Sequence, residues 1–515
     1  MRNSGKNTCM KTEINSKTNS AINPKANLAP SLKETLVNFT QLHSNTGDIV
    51  TKFATVAGRE LCILTCECMV NTMTVSTLLF PPLTALDLRA AEEFGEKPPS
   101  PTELMSAIEG KLMVAVEQNV AKTYEDLSLF FMSGFAIILV DGVDYALAIG
   151  AQGFANRGIQ RPLIHENLRG SCEGFSEVLR FNIASVRRRV RSPRFITKIT
   201  RVGKYAKTDV AILYFDDKVN KDMLAEVERR IEELPLQLIL ETGYIEPFLQ
   251  NEGNSIFTQI GFTDRPDNLA AKLLDGRIAI MVEGTPFALF LPMLFMEHFQ
   301  TMDDYSELSV YTSFIRVVKY LAFFICVLLP GFFVAATSFH PELFPPDILF
   351  NIITAEQKTP FAILTECVIV MVIFEIMREA GLRLPSVVGH AVSIVGGLVL
   401  GDIVISVGLI SAPIVLIVAF STIAAFVVPD LFPSITIMRI LFVIAGGFFG
   451  LFGLTVVGAM FLFKVCSMSA YGVPFMAPLA PFTWRGMRDF FIRFTWHRLV
   501  KDDINLSTLK GVSNK

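Results

Sequence analysis

Residues 403–429 read IVISVGLISAPIVLIVAFSTIAAFVVP, 27 residues without a charge. About 20 apolar residues suffice to cross the hydrocarbon core of a bilayer. Two further runs are uncharged, 19 residues at 320–338 and 24 at 440–463. With 361–374 and 384–401 they give five candidate spans. The charge distribution agrees: the 201 residues from Ile315 onward hold 14 Lys+Arg and 11 Asp+Glu, and the preceding 314 hold 32 and 38. The expected fold is therefore an α/β soluble N-terminal module followed by an α-helical polytopic membrane domain.

The chain has 515 residues and a formal net charge of −3, which argues against a general polyanion binder, and no nucleic acid is expected as a partner. Residues 1–35 read as a disordered basic tail, without an apolar stretch of signal-peptide length. Two α/β subdomains follow, at 36–160 and 161–284. The first carries a strand at 61–65, a helix at 102–120 and a hairpin of strands 135–140 and 145–149 turned by Asp141-Gly142-Val143-Asp144. The second reads as helix 173–191, strands 196–202 and 209–215, helix 221–234, strand 237–240, helix 266–274 and strand 277–282. Alternation of this kind indicates α/β units. Cys62, Cys66 and Cys68 lack a second ligand pair and read as core thiols of a reducing compartment. No nucleophile–base set, metal quartet or phosphate loop is present, so no enzyme activity, metal or cofactor is expected.

The membrane domain is expected at 285–484, with a basic cytoplasmic tail at 485–515. Residues 286–296 are apolar but short, with Pro286 and Pro292, and read as an interfacial or re-entrant element. Arg316 and Lys319 sit at the mouth of the first span, as the positive-inside rule favours. Five spans put the termini on opposite sides, although the Arg-rich tail belongs with the soluble module. The proline-rich stretch 465–484 is the expected irregular return through the membrane.

Ionisable groups inside a membrane segment are functional candidates by default. Glu366 stands one turn into the 361–374 segment. A path along its face would continue through Ile369, Val370 and Ile373, where carboxylates favour cations and bulky aliphatics close by dewetting. Glu375, Arg378, Glu379 and Arg383 read as a salt-bridged cluster at the helix end. Gly397 with Gly401, and Gly446 with Gly450, have the GxxxG spacing of close helix packing. The densest cationic run, Arg187-Arg188-Arg189, fits a subunit contact, a solvated helix end or a lipid contact, with Arg169 and Glu173 as further subunit-contact candidates.

Several motifs occur together in one order. Leu168-Arg169-Gly170-x-x-Glu173-Gly174-Phe175 precedes Asn182-Ile183 and Arg187-Arg188-Arg189. Thr263-Asp264-Arg265-Pro266-Asp267 follows, then Gly276-Arg277-Ile278-Ala279 and Val282-Glu283-Gly284-Thr285-Pro286. Farther on come Phe339-His340-Pro341-Glu342-Leu343-Phe344-Pro345 and Phe374-Glu375-x-x-Arg378-Glu379-Ala380-Gly381-x-Arg383-Leu384-Pro385. Over residues 140–485 this set resembles the spore germination receptor A-subunit family (GerA type). Ser171-Cys172 departs from the Pro-x that usually follows Arg-Gly. The resemblance implies a multi-pass protein of the spore inner membrane with its N-terminal domain in the cytoplasm (spore core). It implies membrane lipid as surroundings and a homo-oligomer, a pentamer, forming a nutrient-gated cation channel. It also implies a transporter-like B-type subunit and a lipoprotein C-type subunit as partners. Two alternatives remain: the amplifying relative encoded with the dipicolinate-transport proteins, and a stand-alone secondary transporter.

Overall fold

The computed structural model describes residues 23–499 except 45, 68, 95–97, 112–116, 152–161, 163–169, 252–254, 384–396, 398–402 and 485. Its α/β module contains one chain path twice. The first lobe runs α1 (Leu32–Leu42), β1 (Ile49–Val56), β2 (Arg59–Cys66), β3 (Gln118–Ala121), α2 (Tyr124–Met132), β4 (Phe135–Val140) and β5 (Ala146–Gly150), with short helices between β2 and β3. The second runs α3 (Leu179–Arg189), β6 (Phe195–Val202), β7 (Thr208–Phe215), α4 (Lys221–Glu232), β8 (Gly261–Thr263), α5 (Pro266–Leu274), β9 (Ile278–Val282) and β10 (Ala288–Leu291). The sheets are ordered β1-β2-β4-β5-β3 and β6-β7-β9-β10-β8, which is the same permutation. Every pairing is antiparallel.

The repeat extends to single hydrogen bonds. In the first lobe the Leu32 N–H, opening α1, donates to Asp141 Oδ1 at 3.0 Å, and the Gly142 N–H donates to the Pro30 carbonyl. In the second the Leu179 N–H, opening α3, donates to Glu283 Oε2 at 3.1 Å, and the Gly284 N–H donates to the Glu177 carbonyl. Each hairpin turn thus lends its carboxylate to a helix N-terminus, whose first N–H groups have no intrahelical partner. Gly142 and Gly284 lie at φ 92° and 88°, where a side chain would be strained. β4 and β9 are buried along their whole length, because apolar clusters cover both faces of each sheet.

Several expected elements change. Residues 118–120 belong to β3, not to a helix, because they pair with β5. The helix expected from 173 begins at Leu179, where Glu283 caps it. Residues 237–240 form no strand: the Gln237 carbonyl accepts from the 205–206 turn, with no ladder. Residues 286–296 are not a membrane element in their first half. They supply β10, which pairs with both β9 and β8, and its apolar character reflects burial on both faces. The prolines bracket this strand instead of breaking it. The sheet therefore extends past residue 285.

The helical region consists of α6 (Ser309–Phe339), α7 (Pro346–Glu356), α8 (Ile363–Arg383), α9 (Ala412–Ala425) and α10 (Phe432–Ser467), apart from short turns. Two of its helical stretches, Ser309–Phe339 and Pro429–Ser467, are long and apolar enough to cross a membrane. The 403–429 run is not one helix: a turn at 404–409 precedes α9, whose 14 residues reach about 21 Å. Residues 384–396 and 398–402, most of another expected span, lie outside the described residues.

α10 is folded back on itself. Gly450 has φ 62° and ψ −148°, a conformation reserved for glycine. Across it the arms meet: a Cβ on Gly458 would lie 3.9 Å from the Phe442 ring, and one on Gly453 would strike the Ala445 carbonyl. Ser434 Oγ donates to the Ile256 carbonyl at 2.7 Å, and Ser255 Oγ lies 3.6 Å from Met468 Sδ. The two ends of a straight helix of this length would be about 50 Å apart, yet here they meet neighbouring residues of one loop. The apex at Gly450 packs on Phe339, the last residue of α6. This turn returns the chain, by Met468, to the α/β side from which Ser434 set out. Residues 469–484 consequently do not re-enter the helical region; Phe475 and Tyr471 pack against the α/β module, with the Phe295 N–H donating to the Phe475 carbonyl.

Candidate functional site

One loop of the second lobe grips both ends of the α10 hairpin. Phe257 inserts between Phe295, Phe461 and Phe475, with ring centroids 5.5, 5.5 and 6.1 Å away. Beside it, the Tyr471 hydroxyl donates to the Leu249 carbonyl at 2.5 Å, and Asn251 Nδ2 donates to the Ser469 carbonyl at 3.3 Å. Arg230 of α4 lies over the Tyr471 ring. The described residues of this loop thus contact both arms of α10 and the segment that follows it.

A second joint leads into α6. Glu297, buried after β10, binds Arg277 and Lys272. Burial alone would raise its carboxyl, but Arg277 and Lys272 outweigh burial and hold it at about 2. Further along, Arg316 reaches Asp304 at 2.8 Å and Asp489 at 2.7 Å, and Lys319 reaches Asp304 at 3.4 Å. Arg316 and Lys319, expected at the mouth of the first span, are both buried and neutralised within the chain.

On α8, Glu366 is fully buried and its Oε2 accepts the Ser411 N–H at 3.1 Å, directly ahead of α9. That is a helix N-terminus, where a carboxylate is favoured. Its Oε1 has no partner among the described residues. Val370 is likewise buried, and Ile369 and Ile373 are half-buried. Among the described residues Glu366 and Val370 therefore line no open path, because they pack inward on α9 and its neighbours. The outward face of α8 carries Thr365, Val372, Ile376 and Glu379, with Ile369 and Ile373 on its shoulder. At the end of α8 the expected charged cluster is formed: Arg378 bonds Glu375 at 2.5 Å, Arg383 bonds Glu379 at 2.7 Å, and Arg378 stacks on Phe432.

Sequence reasoning missed Arg439. It breaks the apolar sequence only once and so reads as the boundary of a span. The structure buries it inside α10, where Nη1 reaches the hydroxyls of Thr422 at 3.1 Å and Ser421 at 3.4 Å. Among the described residues it has no carboxylate partner. A buried cation without a counter-charge is costly, which makes it a functional candidate.

The remaining candidates separate. Arg187 is not available to a neighbouring subunit: it is fully buried and pairs with Asp48 of the first lobe, locking the lobes together. Arg188 and Arg189 both bind Glu173 of the same chain, at 2.5 and 2.7 Å. Arg169 and Gly401 lie outside the described residues. Among the described residues, none comes within 4 Å of a Cβ placed on Gly397. Gly446 does permit close packing, since a Cβ there would lie 2.5 Å from the Gly331 carbonyl of α6. Gly450 instead makes the hairpin turn.

The family model described as Bacillus/Clostridium GerA spore germination protein matches residues 37–503. The chain is 40% identical over 378 residues to Spore germination protein KA of Bacillus subtilis (strain 168), covering 73% of this chain and 69% of the relative. It is 32% identical over 478 residues to Uncharacterized membrane protein YfkQ of the same organism, covering 92% and 91%. Stage V sporulation protein AF, also of B. subtilis, is 27% identical over 397 residues, covering 76% and 80%. Among solved structures, the N-terminal domain of the A subunit of the Bacillus megaterium spore germinant receptor GerK3 is 26% identical, covering 53% of this chain and 98% of that one, with a TM-score of 0.42. With a family match over residues 37–503, most of its length, the chain belongs to the Bacillus/Clostridium GerA spore germination protein family.

Proposed function

We propose that the chain is the A-type subunit of a spore germinant receptor, and that copies of its helical region associate into a gated cation path across the spore inner membrane. The match to the GerA family over residues 37–503 supports the receptor role. The geometry of α8 supports the path: an outward apolar face with Val372 and Ile376, Ile369 and Ile373 on its shoulder, and the Glu366 carboxylate behind it. Aliphatic faces of this kind close a pore by dewetting. The α/β module lies on the spore-core side in this reading, and the loop 249–257 passes its movement to α10. The transporter-like B-type and lipoprotein C-type subunits complete the assembly. A pentamer is the proposed oligomer.

A second reading is an amplifying relative, encoded with the dipicolinate-transport proteins, that responds after ions are released; the match to a sporulation protein is compatible with it. Deleting the chain separates the two. A receptor subunit leaves spores blind to one set of nutrients and normal towards others. An amplifier slows the response to every nutrient equally.

A further inference from the structure

We propose that residues 482–484 and 486–492, with the first turns of α6, form an aromatic collar that lies in the headgroup layer of the bilayer on the α/β side. The inference rests on the reading that α6 spans the membrane. Its level is set by contacts on α6. Phe490 and Phe491 pack on Tyr320, the first residue of the uncharged run, with centroids 5.8 and 5.0 Å away. Arg493 lies about two turns farther out, its backbone N–H donating to Ser313 Oγ and its guanidinium to the Glu307 and Tyr305 carbonyls. The segment therefore runs along α6 just where charge gives way to apolar sequence.

The exposed side chains described at that level are aromatic and aliphatic. Trp484 is 80% exposed and stacks edge-on against the exposed Phe482. Phe491 and Ile492 of the same segment are exposed, and Val310 and Phe314 of α6 are exposed too. The same face of α6 continues as the exposed Val317, Leu321 and Phe324, so the collar is continuous with the surface that meets lipid. Meanwhile Arg316 and Lys319 point inward. The rim is thus built from side chains with an apolar body, the type that favours the membrane–water interface. In aqueous solution a patch of this size would be a liability. The bilayer interface covers it without any further chain.

The chain has two tryptophans, Trp484 and Trp496, so the Trp496→Phe variant has a single emitter. The full-length variant is reconstituted into phosphatidylethanolamine–phosphatidylglycerol vesicles whose acyl chains carry bromine either near the headgroup or near the methyl end. The collar predicts that shallow bromine lowers Trp484 emission about twofold and deep bromine lowers it less. Stronger quenching by deep bromine overturns the interfacial placement. No quenching by either also overturns it, and shielding of Trp484 from aqueous acrylamide would then assign the patch to a partner subunit. A second reporter, Phe324→Trp with both native tryptophans replaced by Phe, reads the span. If it too escapes both bromines, the spanning reading falls together with the collar; if it is quenched while Trp484 is not, only the collar falls.

Discussion

In the first lobe Asp141 caps α1, and in the second Glu283 caps α3, through hydrogen bonds of nearly equal length. Beyond that shared frame the lobes differ. The first is tied to the second by the buried Arg187–Asp48 pair and by Arg180–Glu67. The second is welded to the helical region as well, through Phe257, Tyr471 and the Glu297–Arg277–Lys272 group. One fold thus serves two duties. Among the described residues, these contacts with the helices come from the second lobe, and the first lobe is bonded to the second.

Breaking the tie between the lobes has the largest expected effect. Arg187→Ala leaves Asp48 buried without its partner and costs about 3–5 kcal/mol. The α/β module of the purified full-length chain should melt markedly lower, whereas replacing both residues by apolar ones of similar size recovers most of the loss. An unchanged melting temperature for Arg187→Ala would remove the lock.

Acid attacks the other joint. The Glu297 carboxyl is held at about 2, against 4.5 unperturbed. Its folded value is depressed, so its stabilisation is complete above 4.5 and is lost as pH falls from there towards 2. Glu297→Gln should flatten the stability profile of the module in that window. A profile identical to wild type would show that Glu297 does not hold the joint.

The hairpin turn comes next. Gly450→Val forces a branched side chain into a glycine-only conformation, against Phe339, at a cost of about 1–3 kcal/mol. The level of folded chain in the membrane should fall, and Gly458→Ala, where Cβ finds ordinary contact, should leave it near normal. Equal tolerance at both positions would argue against a turn at 450.

The smallest effect tests the duplication itself. Asp141→Ala and Glu283→Ala each remove one helix-capping carboxylate and should each cost about 0.5–2 kcal/mol. Similar losses in chemical denaturation are expected; a loss at only one site would make the resemblance between the lobes one of shape alone.

Much of this was legible in sequence. The β4–β5 hairpin, α4, α5 and β7 declare themselves through turn residues and periodicity, and the apolar runs announce the helical region. Ala288–Leu291 was misread because a strand buried on both faces has the composition of a membrane segment. The fold at Gly450 was hidden by an uninterrupted apolar run, in which a glycine that packs and a glycine that turns look alike. The partners of Arg187 and Glu366 lie 139 and 45 residues away in the chain, at Asp48 and Ser411, beyond any local pattern.

The central claim is that α8 borders a cation path opened by nutrient. It is tested most directly by potassium efflux from nutrient-exposed spores carrying wild-type chain, a deletion, or Ile376→Lys, with production of the companion subunits verified in each. The account predicts that deletion abolishes efflux for the cognate nutrient, and that a cation on the outward face of α8 changes its rate or selectivity at normal protein level. Efflux that is unaltered in both strains would contradict it and move the conducting role to another subunit.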